Sequence, residues 1–175
     1  HLVGLIMNIF ILDTDPTQAA KYLCDKHVVK MAVESAQMMA SALRRHGATD
    51  IDMPLTVAGK PYRGGYPNHP CTRWAGETCA NFEWLGINGL AICDEFNRRD
   101  KKHHACKHAM VHMMKFVNYL PDAPQTRFAL AMPDEFKHKN AVKAYRKYYV
   151  GDKAAIAKWN RGRPAPRWFS NMRKS

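Results

Sequence analysis

The chain has 175 residues, of which 46% are apolar and 24% charged, a composition that fits one globular domain. Its formal net charge of +12 argues against an enzyme of neutral metabolites, because self-repulsion destabilises a compact protein that has no use for the charge. The five cysteines lack CxxC spacing, which indicates reduced thiols in a cytoplasmic protein. No apolar stretch approaches the roughly 20 residues of a membrane span, so no membrane partner is expected.

The N-terminal part begins with a short apolar run at residues 7–12, typical of a strand. Residues 1–6 are expected to be an addition that precedes the native start at Met7. Asp15 is a suitable N-cap and Pro16 suits the first helical position. A helix is therefore predicted over residues 16–45.

The rest of the chain is predicted to be helical apart from one long loop, rich in glycine and proline, and a basic tail. The sequence predicts a mainly α protein, a single-domain helical bundle over residues 7–175 with one short N-terminal strand and a long irregular loop. The predicted segments are the loop 48–68, helices over 70–99, 101–119 and 140–150, and an extended basic tail at 160–175.

Nearly all of the excess positive charge lies near the C-terminus. Residues 137–175 contain twelve Lys or Arg and one acidic residue, a net charge of +11, which leaves +1 for the rest of the chain. Cations bind phosphates irrespective of sequence, and interleaved aromatic rings can stack on exposed bases. The predicted nucleic-acid-binding residues are Lys143, Arg146, Lys147, Lys153, Lys158, Arg161, Arg163 and Arg167.

The first long helix is apolar around most of its circumference, which predicts that it is buried. One narrow face is polar, with residues spaced by three and four positions: His27, Lys30, Glu34, Gln37 and Ser41. Such a stripe either meets water, with Lys30 and Glu34 as a simple i, i+4 pair, or lines a cleft.

The second long helix repeats this pattern with Arg73, Glu77, Asn81, Trp84 and Asn88. Two such stripes facing each other would form a cleft. Its amides could read a base edge, an indole could stack, a carboxylate could activate water or steady a cationic sugar, and a lysine could attack C1′. The same groups are equally compatible with an enzyme that binds nucleotides.

The candidate residues follow from these stripes and their surroundings. His69 is included because it lies at the start of the second helix, where anions are attracted. His104, His108 and His112 have helical spacing that can bind zinc, but a solvated face is the preferred interpretation, so no metal and no cofactor are expected. The predicted catalytic residues are Glu34, Lys30, His27, Glu77 and His69, and the predicted substrate-binding residues are Gln37, Arg73, Asn81, Trp84, Asn88 and Asp13.

Several short sequence motifs resemble those of a family of small tailed-phage proteins to which no activity is assigned. The resemblance covers most of residues 7–168 and implies a phage origin, a location in the host-cell cytoplasm and a role near DNA metabolism, such as DNA repair or base modification. The phrases are MNIFIL with Asp15-Pro16, CDKHVVKM at 24–31, NHPC at 68–71 with Trp74, Asn81 with Trp84, MPDE at 132–135 and AYR at 144–146 with Tyr148-Tyr149.

Three functions are compatible with these features. The favoured one is an enzyme that acts on a DNA base, a glycosylase or base-modifying transferase, whose C-terminal segment holds the DNA backbone. The second is a non-catalytic basic module that binds DNA, RNA or an acidic host protein. The third is an enzyme or binder of a free nucleotide. The expected partner is nucleic acid, with DNA preferred, and no oligomeric state is predicted.

Overall fold

A computed structural model describes residues 7–174, so the segment 1–6, expected to precede the native start, lies outside the described residues. The described part is helical and contains no β-sheet, which confirms the mainly α fold class. Its helices are α1 (Pro16–Tyr22), α2 (Asp25–Arg45), α3 (Pro70–Ala75), α4 (Cys79–Asp100), α5 (Lys107–Met114), α6 (Ala141–Asp152) and α7 (Arg167–Arg173), with short 3-10 turns at Asp50–Asp52, Val117–Tyr119 and Asp134–Phe136.

The apolar segment 7–12 is buried, but the prediction that it forms a strand is wrong. A strand needs a neighbour to complete its hydrogen-bond ladder, and within residues 7–174 the β-pairing amounts to one bridge between Leu55 and Pro61. The segment instead runs between α2 and α4. It shares one small cavity with Met31 and Ser35 of α2 and with Asn88 and Ile92 of α4.

The helix predicted over residues 16–45 is broken at Cys24, where the chain is extended between α1 and α2. The Cys24 N–H donates to the hydroxyl of Tyr149 at 3.1 Å, and the Asp25 N–H donates to the carbonyl of Lys158 at 2.9 Å. The amides of the N-cap Cys24 and of Asp25, the first residue of α2, are thus satisfied by residues far along the chain. Distant contacts cause the break, which is why local sequence signals do not show it.

The second predicted helix is also divided, into α3 and α4. Gly76 ends α3, and the Thr78 side chain accepts from the Asn81 N–H at 3.0 Å to cap the start of α4. Threonine at an N-cap is a strong local start signal. The division therefore has a sequence cause that the apolar periodicity had obscured.

The prediction of an extended basic tail over residues 160–175 is wrong, because this part of the chain carries α7 and packs against the core. Phe169 is buried, and its ring lies 4.8 Å from that of Trp159. The Trp168 ring lies 6.2 Å from that of Tyr149. The aromatic residues of the basic segment therefore build the fold.

The long loop before α3 is fastened to the C-terminal half of α2. The Ser41 hydroxyl donates to the Gly65 carbonyl at 3.1 Å and accepts from the Gly65 N–H at 2.9 Å. The Arg44 guanidinium donates to the Tyr62 carbonyl at 2.6 Å and 3.0 Å. These contacts place residues 64–66 over the polar stripe of α2.

Candidate active site around Glu34

Glu34 lies midway along α2, and its carboxylate is enclosed, with 4% of the residue exposed. Its Oε1 accepts a hydrogen bond of 3.1 Å from the backbone N–H of Asn8. Within residues 7–174, Oε2 is buried without a hydrogen-bond partner, and the Nζ of Lys30 lies 3.9 Å from it. Burial raises the pKa of Glu34 to about 7, although Lys30 and the Asn8 N–H favour the charged form. A carboxyl group that titrates near neutrality in such a place is suited to exchange protons.

Asn8 is fixed by its own side chain, so its backbone nitrogen faces Glu34 in a defined position. The amide oxygen accepts from the Tyr145 hydroxyl at 3.2 Å and from the Cys71 thiol at 3.5 Å. The amide nitrogen donates to the carbonyl of Ala131 at 2.8 Å. Three distant parts of the chain therefore hold the group that contacts the buried carboxylate.

His27 lies on the same stripe of α2 but points into the interior. Its Nδ1 is 2.6 Å from the Tyr149 hydroxyl, and its ring stacks on Phe10 with centroids 4.4 Å apart. Burial, aided by Lys153 and other nearby cations, lowers the pKa of His27 to about 3. The ring is therefore neutral at physiological pH, which suits a positioning role better than the acid–base role that the sequence suggested.

Lys153 does not lie where a residue that binds a DNA backbone should be. It is buried, and its ammonium group is 4.9 Å from the centre of the Tyr148 ring. Burial lowers the pKa of Lys153, while the charges of Asp152 and Glu34 oppose that shift. Its assignment as a phosphate contact is therefore corrected: this cation contributes positive potential around Glu34.

Lys30 connects the buried carboxylate with an open basic groove. The side chain is 42% exposed and lies beside a groove of about 560 Å³. The groove joins the first turns of α2 to the chain after α6. It is lined by Asp25, Lys26, Val29, Lys30, Ile156, Lys158, Asn160 and Arg161.

The polar stripe of α4 does not face that of α2 across a cleft. Trp84 Nε1 donates to the Thr14 carbonyl at 2.9 Å, and Asn88 Nδ2 donates to the Pro16 carbonyl at 2.8 Å. The N-terminal segment thus fills the space in which the sequence suggested a shared pocket. In this structure Trp84 and Asn88 support that segment.

Glu77 and Asn81 form a separate polar group. The Thr126 hydroxyl donates to Glu77 Oε1 at 2.7 Å, and Asn81 Nδ2 donates to the carbonyl of Trp74 at 2.8 Å. No hydrogen bond or ion pair in the described part of the chain joins Glu77 to Glu34. Arg73 is exposed at the edge of this group.

Of the remaining predicted site residues, His69 and Gln37 lie near the site and Asp13 lies in a turn. His69 caps α3 and accepts from the Cys71 N–H at 3.1 Å, so it lies next to Cys71, whose thiol contacts Asn8. Burial lowers the pKa of His69. Gln37 lies beside Gly65. Asp13 accepts from the Asp15 N–H at 2.8 Å, as a turn residue does.

Several cations of the basic segment bind within the protein. Arg146 donates to the Leu12 carbonyl at 3.0 Å, Arg163 binds the carboxylate of Glu95, and Arg161 pairs with Asp100 at 2.7 Å. Arg146 and Arg163 therefore serve the fold, whereas Arg161 also reaches the groove. The remaining predicted contacts are exposed: Lys143, Lys147, Lys158 and Arg167.

Sequence reasoning missed Asn8, the residue that contacts Glu34. The available signal was a single polar residue inside the apolar run 7–12, which suggests a buried amide with a fixed partner. Between residues 7 and 174, no group of three or more His, Cys, Asp or Glu side chains could hold a metal ion. In the same range, no helix combines the length and apolar character that crossing a bilayer needs.

A family model described as pyrimidine dimer DNA glycosylase matches residues 7–109, more than half of the chain. The matched span includes Asn8, helices α1 to α4 and Glu34. No curated protein and no solved structure matches the chain significantly.

Proposed function

The chain belongs to the pyrimidine dimer DNA glycosylase family, and we propose that Glu34 is its catalytic carboxylate. We also propose that the backbone nitrogen of Asn8 is the nucleophile in a form of the protein whose first residue is Asn8. Family membership makes the protein a DNA base-excision enzyme that acts on UV damage. The observation that carries the residue assignment is the 3.1 Å contact between Asn8 N and Glu34 Oε1.

The chemistry requires an attack on C1′ of the sugar while the bond to the base breaks. An amine forms the new C–N bond, the base departs with the electron pair of the glycosidic bond, and positive charge develops on the sugar. The Glu34 carboxylate can accept the proton that the amine gives up and can stabilise that charge. A pKa of about 7 allows the same group to take up and return a proton.

A peptide nitrogen is not a nucleophile, so this assignment concerns a chain that begins at Asn8. There the nitrogen is an α-amine, with an ordinary pKa of about 7.7–8.0, and a useful fraction is unprotonated near neutral pH. Met7 is bonded to this nitrogen and is completely buried. A chain without Met7 would have room next to Glu34 that the present chain fills.

Lys30 is the second candidate nucleophile. Its Nζ lies 3.9 Å from Glu34 Oε2, and unlike the Asn8 nitrogen it is an amine in every form of the chain. Its side chain also borders the basic groove, in which Lys26 and Lys158 are available to bind the DNA backbone. Either amine would use the same carboxylate.

Borohydride trapping on UV-irradiated duplex DNA tests the assignment, because reduction converts an amine–sugar adduct into a stable cross-link. Peptide mapping by mass spectrometry then identifies the nitrogen. A chain prepared to begin at Asn8 should cross-link through residue 8, and Glu34→Gln should abolish both excision and cross-linking.

The control chains separate the two amines. Lys30→Ala should leave the cross-link in place, as should Lys26→Ala, the matched control in the same groove. A cross-link that maps to Lys30 would identify Lys30, and not Asn8, as the nucleophile. Full excision by Glu34→Gln would overturn the role of the carboxylate.

A further inference from the structure

Residues 65–71 form an arch over the polar stripe of α2. The arch begins where Gly65 exchanges hydrogen bonds with Ser41 (2.9 and 3.1 Å), and it passes the side chain of Gln37. It ends at Cys71, whose thiol donates to Asn8 at 3.5 Å. Since Asn8 also contacts Glu34, the arch runs from Ser41 on the polar stripe to the residue that holds the candidate catalytic carboxylate.

The start of the arch is closely fitted to α2. A side chain on Gly64 would place its Cβ 2.8 Å from the backbone nitrogen of Ser41, so only glycine allows this approach. Gly64 also has a φ of +86°, which glycine adopts without strain. The direction in which the chain enters the arch is therefore fixed by backbone contacts.

Tyr66, the next residue but one, has a φ of +48°, in the left-handed region that residues with a Cβ disfavour. Its carbonyl accepts from the His69 N–H at 3.1 Å, so the conformation belongs to a closed turn. A glycine would adopt this backbone more easily. Keeping an aromatic side chain in a strained position suggests that the ring itself is used.

The Tyr66 ring is available to a ligand. The residue is 40% exposed, and within residues 7–174 its ring and hydroxyl have no aromatic contact or hydrogen bond. It is followed by two further exposed residues, Pro67 and Asn68. An aromatic ring held by a rigid backbone loses little conformational freedom when it binds, which favours stacking on a flat partner.

We propose that Tyr66 inserts its ring into the DNA base stack at the lesion and thereby holds a distorted duplex over Glu34. This inference rests on the proposed function, because it takes Glu34 as the reacting centre. Damaged sites open more easily than intact duplex, since their bases are less firmly stacked. A ring that fills the opened step would therefore add affinity for damaged DNA and little for undamaged DNA.

Binding of the full chain to a duplex that carries one pyrimidine dimer beside a 2-aminopurine provides the test. The fluorescence of 2-aminopurine rises when the base leaves the stack, and the affinity is compared with that for an undamaged duplex. Tyr66→Ala and Tyr66→Gly should lose the fluorescence rise and about tenfold to a hundredfold of the affinity for the lesion, the size expected for one stacking contact. Tyr66→Trp and Tyr66→Phe should retain both.

Thermal unfolding excludes a purely structural cause. Tyr66→Gly should be at least as stable as the parent, because glycine relieves the left-handed backbone. Tyr119→Ala is the matched control, since Tyr119 is 39% exposed and lies outside the arch. Tyr66→Gly or Tyr66→Ala protein that is folded and keeps both the fluorescence rise and the preference for the lesion would overturn the proposal.

Failure of this proposal is distinguishable from failure of the proposed function. Glu34→Gln should bind the lesion and raise the fluorescence while it excises nothing. If Glu34→Gln remains active, the carboxylate assignment is wrong, and the Tyr66 variants still report on base unstacking through binding alone.

Discussion

Arg163 donates two hydrogen bonds to the carboxylate of Glu95, at 3.0 and 2.8 Å, and thereby fastens the basic segment to α4. Arg99, which is fully buried, donates to the same carboxylate at 3.0 Å. Burial alone would raise the pKa of Glu95, but Arg163 and Arg99 hold it below its ordinary value. The carboxylate is thus the shared anchor of two guanidinium groups.

Glu95→Gln should lower the free energy of unfolding by about 2 kcal/mol, because the buried charge of Arg99 keeps its ion pair with Asp25 (3.1 Å) but loses the one with Glu95. Arg163→Ala should cost less, about 1 kcal/mol, since that side chain is partly exposed. Urea denaturation measures both. Asp94→Asn is the control, as its ion pair with Lys107 is on the surface and should matter by less than about 1 kcal/mol. Equal effects of Glu95→Gln and Asp94→Asn would contradict the anchor.

Removal of residues 158–175 should unfold the protein as well as weaken DNA binding, contrary to the expectation for an extended tail. The truncation removes Trp159 and Phe169 from the core and the Lys158 carbonyl from the start of α2. We expect the cooperative thermal transition to disappear. Arg167→Ala, which removes an exposed charge of the same segment, should leave the melting temperature nearly unchanged. A sharp transition in the truncated chain would show that α7 is dispensable.

Glu34→Gln should stabilise the protein at alkaline pH. The folded-state pKa of Glu34 is raised from 4.5 to about 7, so the folded state holds this proton more tightly than the unfolded state. The contribution of Glu34 to the free energy of unfolding is therefore greatest below pH 4.5, falls between pH 4.5 and 7 and is constant above pH 7. The variant should gain up to about 3 kcal/mol at pH 8 and about 1 kcal/mol at pH 5, as measured by denaturation at both values. A gain independent of pH would mean that Glu34 does not titrate in this range.

His27 should make the protein sensitive to acid. Its folded-state pKa is lowered from 6.5 to about 3, so the unfolded state binds the proton more tightly. The contribution of His27 to the free energy of unfolding is complete above pH 6.5 and declines by about 1.4 kcal/mol per pH unit as the pH falls towards 3, a loss of about 2 kcal/mol at pH 5. His27→Gln should remove this slope, whereas exposed His103→Gln should not. Equal slopes of stability against pH in the parent, His27→Gln and His103→Gln would refute the lowered pKa of His27.

Lys26→Ala and Lys158→Ala should weaken binding to DNA of any sequence and make it less dependent on salt. Each phosphate contact contributes about 0.9 to the slope of log affinity against log salt on duplex DNA. We expect each variant to reduce the slope by about that amount, in titrations between low and moderate salt. Exposed Lys102→Ala lies outside the groove and should not change it. If both groove variants keep the salt dependence of the parent, the DNA backbone does not bind in this groove.

The helical class and the function were predictable because their signals are local or compositional. Apolar periodicity and caps predicted the helices. Aligned ionisable residues on apolar helices and the basic segment favoured an enzyme directed at DNA bases over two alternatives; that prediction is confirmed, although the two stripes do not share a cleft. The polar stripe of α2 also identified Glu34, whose catalytic role stays a prediction. These features depend on residue types within a few turns of each other.

The rest of the site depends on distant contacts that no local pattern contains. The apolar run at residues 7–12 is the sequence of a strand, yet it packs between two helices because the described residues 7–174 offer no other strand to pair with it. Once it lies there, the polar stripes of α2 and α4 cannot face each other across a cleft, and Asn8 becomes the partner of Glu34. In the same way, Lys153 and Arg163 look like free surface cations, yet the fold buries Lys153 and pairs the partly exposed Arg163 with Glu95.

The hydrogen bonds between Asp25 and the chain at Lys158 and Asn160 (2.9 and 2.7 Å) have a consequence for biosynthesis. The ribosome makes α2 and Glu34 early, but the residues that complete the start of α2 emerge more than 130 positions later. A nascent chain therefore contains Glu34 long before the contacts that fix the start of α2 can form. The ability to excise a damaged base should therefore appear only after residues 158–160 have emerged and packed against the start of α2.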